Sequence, residues 1–152
     1  MPTIRLETLI AAPPEACFAL SLSVDAHTQS MARATERAVG GVTSGEMRAG
    51  ETVTWKARHF GLVWRMTSRI AEYEAPRRFV DEQVSGPFAR WWHEHRFEAD
   101  AGGTRMLDTV EFSAPLGPIG RAVDRLVLER YMTRLLERRN AWLAEELEDA
   151  RR

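Results

Sequence analysis

The feature that most constrains the fold is the stretch from Phe88 to Glu98, in which polarity alternates from one residue to the next. One set of alternate positions is apolar except for His93 and His95, whereas the other set, from Arg90 onward, carries alternating charge apart from Trp92. A period of two is typical of a β-strand with one covered and one wet face, which antiparallel sheets commonly have. Because histidine is an uncommon choice for a plain apolar core, the central question is what these two imidazoles face.

Length and charge exclude several classes of protein. The 152 residues are enough for a substantial core, and we predict one domain over residues 1–152. The 21 basic and 22 acidic residues nearly cancel, which gives no electrostatic case for binding nucleic acid. No apolar run approaches the roughly 18 residues of a spanning helix, and residues 1–10 lack a signal-peptide core. We therefore expect a cytoplasmic protein without stable membrane insertion.

Strand and helix signals follow one another in a simple order. Residues 3–10 alternate as a first strand, and Pro13-Pro14-Glu15 is a typical helix start. Asp25 is expected to cap a second short helix, and residues 36–42 are predicted to form a weak strand. An antiparallel meander is then predicted over residues 51–114, followed by a long helix over residues 119–148.

Six short segments carry a family resemblance: IAAPPE at residues 10–15, TWKARHFG at 54–61, RFVDE at 78–82, GPF at 86–88, WHEHRF at 92–97 and PLG at 115–117. In this order they resemble the START-like (SRPBCC) helix-grip superfamily, and within it bacterial polyketide cyclase/dehydrase-like proteins, some labelled cell-division inhibitors. The resemblance implies an α+β helix-grip fold, in which a curved antiparallel sheet wraps around a long C-terminal helix and two short helices follow the first strand. The function is left open, because this fold hosts carriers, receptors and enzymes.

The turn lengths set the register of the meander. With residues 86–88 as one connection, Asp81 lies opposite His93; with residues 100–103 as the next, Asp108 lies opposite His95. Opposed side chains are about 5 Å apart at Cβ, within hydrogen-bonding reach. The sequence therefore predicts two hydrogen-bonded pairs on the covered face, Asp81 with His93 and Asp108 with His95.

The covered face also supplies the candidate site. The predicted ligand-binding residues are Trp55, His59, Trp64, Met66, Phe79, Asp81, Gln83, Trp91, His93, His95, Asp108, Phe112 and Tyr131. The candidates for catalysis are His93, His95, Asp81 and Asp108. A fourth histidine, His27, is expected at the surface, with the cavity mouth as the alternative.

Three interpretations of the His/Asp group stay open. It can be a buried structural network, a polar floor that orients one end of an apolar guest, or a metal site. A His-x-His pair on a strand is spaced by about 6.6 Å, which is compatible with zinc. However, His59 is expected several residues away, so no third histidine is at hand, and we predict neither a metal nor a cofactor.

The C-terminal helix has two apolar faces. Ile119, Val123 and Leu126 share one side, whereas Tyr131 and Leu135 lie about half a turn away. Both faces cannot cover one sheet. Either the helix breaks near Leu128, or the first face contacts something else, with a homodimer contact and a mobile gate as alternatives.

Three functions follow from the resemblance and the residues. The first is binding of a hydrophobic small molecule, lipid-like or polyketide-like, in a cavity between sheet and helix. The second is a cyclase or dehydratase in which a His/Asp dyad moves a proton, work that suits a histidine titrating near neutral pH. The third is a protein-interaction role related to cell division.

Overall fold

A computed structural model describes residues 2–150, and its elements follow the predicted order. The ends of the predicted domain, residues 1 and 151–152, lie outside this range. The elements are β1 (Thr3–Ile10), α1 (Pro14–Ser21), α2 (Val24–Ser30), a 3₁₀ turn (Ala32–Ala34), β2 (Arg37–Gly41), β3 (Thr52–His59), β4 (Leu62–Glu74), β5 (Arg78–Ser85), β6 (Arg90–Asp100), β7 (Gly103–Ser113), α3 (Gly117–Val123), a π-helical turn (Asp124–Leu128) and α4 (Glu129–Asp149).

The strands form one sheet in the order β1-β7-β6-β5-β4-β3-β2. Each neighbouring pair is antiparallel, and β2 to β7 are consecutive in space, so the predicted meander is confirmed. The alternation predicted for residues 88–98 is also confirmed, because Trp91, His93 and Phe97 are buried on the inner side while Arg90 and Arg96 are exposed. The alternation seen in the sequence thus sorts the side chains between core and solvent.

The cap predicted for the second short helix is wrong by two residues. Ser23, in an extended conformation, accepts a hydrogen bond from Ala26 N–H at 3.1 Å and is the N-cap of α2. Asp25 lies inside the first helical turn, where its Oδ2 accepts from Gly45 N–H at 2.9 Å. The carboxylate therefore ties down the following loop instead of capping its own helix.

The C-terminal helix changes its face at the π-helical turn, close to the predicted position. A π turn holds more residues than an α turn, so the side chains beyond it are rotated about the axis. Ile119 and Leu126 are 68% and 75% exposed, whereas Leu135 and Leu136 are buried. The prediction that the two apolar faces do not share the sheet is confirmed; the helix continues through the turn and does not break.

Helix α4 lies on the inner face of the sheet, as the helix-grip fold requires. Leu143 packs in one core cluster with Phe97, and Leu136 packs in a second with Trp91. Between these leucines the helix presents Arg139 and Asn140, both almost fully buried. The sheet and the helix thus enclose a polar group between two apolar clusters.

Candidate functional site

A cavity of about 230 Å³ lies between the sheet and α4. Its walls are mainly apolar and aromatic, and Met132, Leu135 and Leu136 form part of the helix side. Ten of the predicted ligand-binding residues line it: Trp55, His59, Trp64, Met66, Phe79, Asp81, Trp91, His93, His95 and Tyr131. The period-two pattern therefore brings most of the predicted set to one space.

The other three predicted residues do not line the cavity. The amide of Gln83 is used by the backbone of Phe88, donating to its carbonyl at 2.8 Å and accepting from its N–H at 3.2 Å. Phe112 is fully buried against Trp91, with ring centroids 6.1 Å apart. Asp108 lies beneath the imidazoles, away from the cavity surface. Alternation shows which face a side chain is on, but not how deep in that face it lies.

The predicted register is confirmed, but the predicted hydrogen bonds are wrong. Asp81 is opposite His93 and Asp108 is opposite His95 in the strand pairing. The hydrogen bonds cross, however: His93 Nε2 is 2.8 Å from Asp108 Oδ1, and His95 Nε2 is 2.7 Å from Asp81 Oδ2. Opposed side chains run side by side, so the tip of a long imidazole reaches the carboxylate on its diagonal.

Helix α4 completes this group with two residues that the sequence did not indicate. Arg139 donates from Nη1 to Asp108 Oδ1 at 3.4 Å and from Nη2 to His95 Nδ1 at 3.3 Å. Asn140 Nδ2 donates to Asp108 Oδ2 at 2.8 Å. A signal was available, because both residues interrupt the apolar stripe between Leu136 and Leu143.

The charges in the network follow from these partners. Burial would raise the pKa of Asp108, but the Arg139 guanidinium and the hydrogen bond from His93 hold it well below its usual range. Burial would also raise the pKa of Asp81, but the hydrogen bond from His95 and nearby positive charge outweigh this effect and lower the pKa to about 2. Both groups are therefore carboxylates that accept hydrogen bonds, so each facing imidazole Nε2 carries a proton.

The second nitrogen of each imidazole has a different role. Nδ1 of His95 accepts from Arg139, so this ring is neutral, and burial lowers its pKa to about 4. Nδ1 of His93 points toward Asp81, 3.8 Å from Oδ2, too far for a hydrogen bond. The gap between His93 Nδ1 and Asp81 Oδ2 is a position on the cavity side of the cluster where a polar group of a guest fits.

Asp81 is the carboxylate that the cavity can reach. Its side chain is 20% exposed, whereas that of Asp108 is fully buried. Trp91 Nε1–H donates to Asp81 Oδ1 at 3.3 Å, on the side away from His95. The inner end of the cavity therefore presents Asp81 and His93, held in place from behind by Asp108.

Three side chains of the cluster are of the types that bind metal ions. Ligand atoms of Asp81, His93 and His95 lie within 4.8 Å of one another. The two imidazoles are stacked, however, with centroids 3.7 Å apart and planes inclined by 25°. A coordinated ion lies near the plane of each imidazole, and stacked rings do not share such a point. The geometry thus favours a hydrogen-bonded network over a metal site.

The other end of the cavity holds two polar pairs and its mouth. His59 Nδ1 is hydrogen-bonded to the hydroxyl of Tyr131, and burial lowers the pKa of His59. His27 also lines the cavity, so its expected surface position is wrong and the alternative near the cavity mouth applies. Its ring centroid is 4.2 Å from that of Trp55, and its Nε2 is 2.7 Å from Glu36 Oε1. Phe60, an exposed lining residue, marks the opening to solvent.

Comparison with known proteins agrees with this architecture. No curated protein matches the chain. Among solved structures, the aromatase/cyclase ZhuI from Streptomyces sp. R1128 is similar over 99% of this chain and 96% of its own, with 17% identity and a TM-score of 0.80. The protein TTHA0849 from Thermus thermophilus is similar over 98% of this chain and 99% of its own, with 21% identity and a TM-score of 0.79. These likenesses show the helix-grip fold.

The family follows from a match to the sequence itself. The model of the family described as "Polyketide cyclase / dehydrase and lipid transport" matches residues 1–148. This range includes every strand and the cavity-lining part of α4. The chain belongs to the polyketide cyclase / dehydrase and lipid transport family.

Proposed function

We propose that this protein binds a hydrophobic small molecule in the cavity between the sheet and α4. The observation that carries the proposal is an apolar, largely aromatic cavity whose closed inner end is polar and is formed by Asp81 and His93. Ligand sites commonly combine apolar walls with a few placed polar groups that orient the guest. A guest would therefore enter past Phe60 and point its polar end toward Asp81.

The volume limits the size of the part of the guest that is enclosed. About 230 Å³ exceeds the roughly 150 Å³ that accommodates benzene, and is below the roughly 300–1,000 Å³ of sites for drug-sized ligands. Two fused rings fit this range. A longer polyketide-like or lipid-like molecule would extend through the mouth.

A cavity-filling substitution tests this function. Met132→Trp places an indole in the space beneath α4, since Met132 lines the cavity. We expect the unchanged protein to bind 2-methoxynaphthalene in a calorimetric titration, and this variant to bind it at least tenfold more weakly. Arg134→Trp adds the same ring to an exposed position of the same helix and should keep the affinity.

Thermal unfolding of both variants checks that they are folded. Undiminished affinity of Met132→Trp would contradict the proposed site. Failure of the unchanged protein to bind any member of a panel of one-ring and two-ring apolar compounds would contradict the proposed function.

A cyclase or dehydratase is the second candidate, and one observation favours it. His93 Nδ1 and Asp81 Oδ2 face each other across 3.8 Å at the inner end of the cavity, where a proton acceptor could act on a bound guest. Conversion of a poly-β-ketone by the purified protein, lost in Asp81→Asn, would favour this candidate over binding alone.

The remaining expectations concern location and partners. Among residues 2–150, no helix is long and apolar enough to cross a membrane. A cytoplasmic location, a homodimer through the exposed face around Leu126, and a role in protein interaction stay predictions.

A further inference from the structure

We propose that the cavity selects neutral guests whose inner end carries a hydroxyl group, and discriminates against carboxylates of the same size. This inference rests on the proposed binding function and adds the chemical class of the ligand. It comes from the hydrogen-bond balance and the charge balance of the cluster around Asp81.

The Asp81 carboxylate accepts two hydrogen bonds from neighbouring side chains and can accept more. Trp91 Nε1–H donates to Oδ1, and His95 Nε2–H donates to Oδ2. A carboxylate offers about four acceptor positions, so these two bonds leave acceptor capacity on Asp81. Because its side chain is partly exposed in the cavity lining, a guest can reach that capacity.

His93 leaves a gap beside Asp81. Asp108 accepts the proton of His93 Nε2, so Nδ1 is the nitrogen of His93 that faces Asp81. Nδ1 and Asp81 Oδ2 are 3.8 Å apart, too far for a direct hydrogen bond. An entering O–H group donates to the free acceptor position of Asp81 in this gap, whereas an ether or a carboxylate brings only further acceptors to that carboxylate.

The fixed charges point the same way. The Asp108 carboxylate is paired with the Arg139 guanidinium, whereas the Asp81 carboxylate, which faces the cavity, accepts from the neutral Trp91 and His95 rings. The Arg139 guanidinium is directed at Asp108 and at His95 Nδ1. A carboxylate guest would bring another negative charge into a site with little water to screen it, which is unfavourable.

Three probes of one shape test the inference at neutral pH: 2-naphthol, 2-methoxynaphthalene and 2-naphthoate. By calorimetric titration of the full chain, we expect 2-naphthol to bind at least tenfold more tightly than 2-methoxynaphthalene. We expect 2-naphthoate to bind at least tenfold more weakly than 2-methoxynaphthalene. The comparison needs no variant, so it does not depend on whether a substituted cluster folds.

A variant then assigns the selectivity to Asp81. Asp81→Asn removes one negative charge and adds an amide donor, so the advantage of 2-naphthol should shrink and the penalty of 2-naphthoate should fall by at least tenfold. Glu82→Gln removes a carboxylate from the neighbouring position on the other face of β5 and should leave the order of the probes unchanged.

The outcomes separate the inference from the function on which it rests. Equal binding of the three probes, or tightest binding of 2-naphthoate, would overturn the selectivity and leave the binding function standing. Binding of none of them would count against the binding function, and the selectivity would fall with it. Loss of all binding by Glu82→Gln would overturn the assignment to Asp81.

Discussion

Replacing Arg139 with methionine is expected to lower the free energy of unfolding by about 3–5 kcal/mol, the cost of removing one partner from a buried ion pair. The guanidinium is almost fully buried and donates to Asp108 and His95. Its loss leaves the buried carboxylate of Asp108 with hydrogen bonds but without its neighbouring positive charge. Urea unfolding monitored by circular dichroism measures the change.

Arg138 provides the matched control for this experiment. It precedes Arg139 on the same helix but is exposed, so Arg138→Met should change stability by no more than about 0.5 kcal/mol. The double variant Asp108→Asn/Arg139→Met should be less destabilised than the sum of the single variants, because it removes both charges together. A loss below about 1 kcal/mol for Arg139→Met would contradict the structural role given to the ion pair.

Acidification is expected to destabilise the protein between about pH 6.5 and pH 4 through His95. Burial lowers the pKa of His95 from 6.5 to about 4, so the unfolded chain takes up a proton first as the pH falls. Stability is therefore lost across this window, by on the order of 3 kcal/mol at about 1.4 kcal/mol per pH unit. The lowered pKa of His59 acts in the same direction.

Below about pH 4, protonation of Asp81 causes a further loss of stability. Its pKa falls from 3.8 to about 2 on folding, so the stability it contributes above pH 3.8 disappears as the pH approaches 2. Urea unfolding at intervals from about pH 7 to about pH 4 isolates the histidine part. His95→Gln should flatten that part, because a glutamine amide can donate to Asp81 and accept from Arg139 but does not titrate in this range. A wild-type stability that stays constant or rises on acidification would refute the buried neutral His95.

The sequence was sufficient for the sheet and its register because both depend on period and turn length. Alternation through β6 placed His93 and His95 on the inner face, and the turns placed Asp81 and Asp108 opposite them. The hydrogen bonds could not be predicted in the same way, since register fixes Cα partners but not the direction in which an imidazole leans. Alternation also does not determine how deep a side chain lies within its face. The position of Asp108 behind the cavity, and not on its surface, was therefore not predicted.

The contribution of the helix was harder to predict. A charged residue such as Arg139 is assigned to solvent by default, because arginine is rarely buried without a partner. Its partner Asp108 is distant in the sequence and becomes a neighbour only through the packing of α4 on the sheet. The change of apolar face before Tyr131 was visible, but residue patterns did not distinguish a π-helical turn from a break.

Methyl NMR of methionine-labelled protein during a titration with 2-naphthol tests the central claim most directly, because it locates the guest. Met66 and Met132 line the cavity, whereas Met106 is fully buried outside its lining. We expect saturable ring-current shifts of the Met66 and Met132 methyl signals, with little change at Met106. Absence of such shifts in the presence of bound 2-naphthol, or an equal shift at Met106, would contradict a guest held between the sheet and α4.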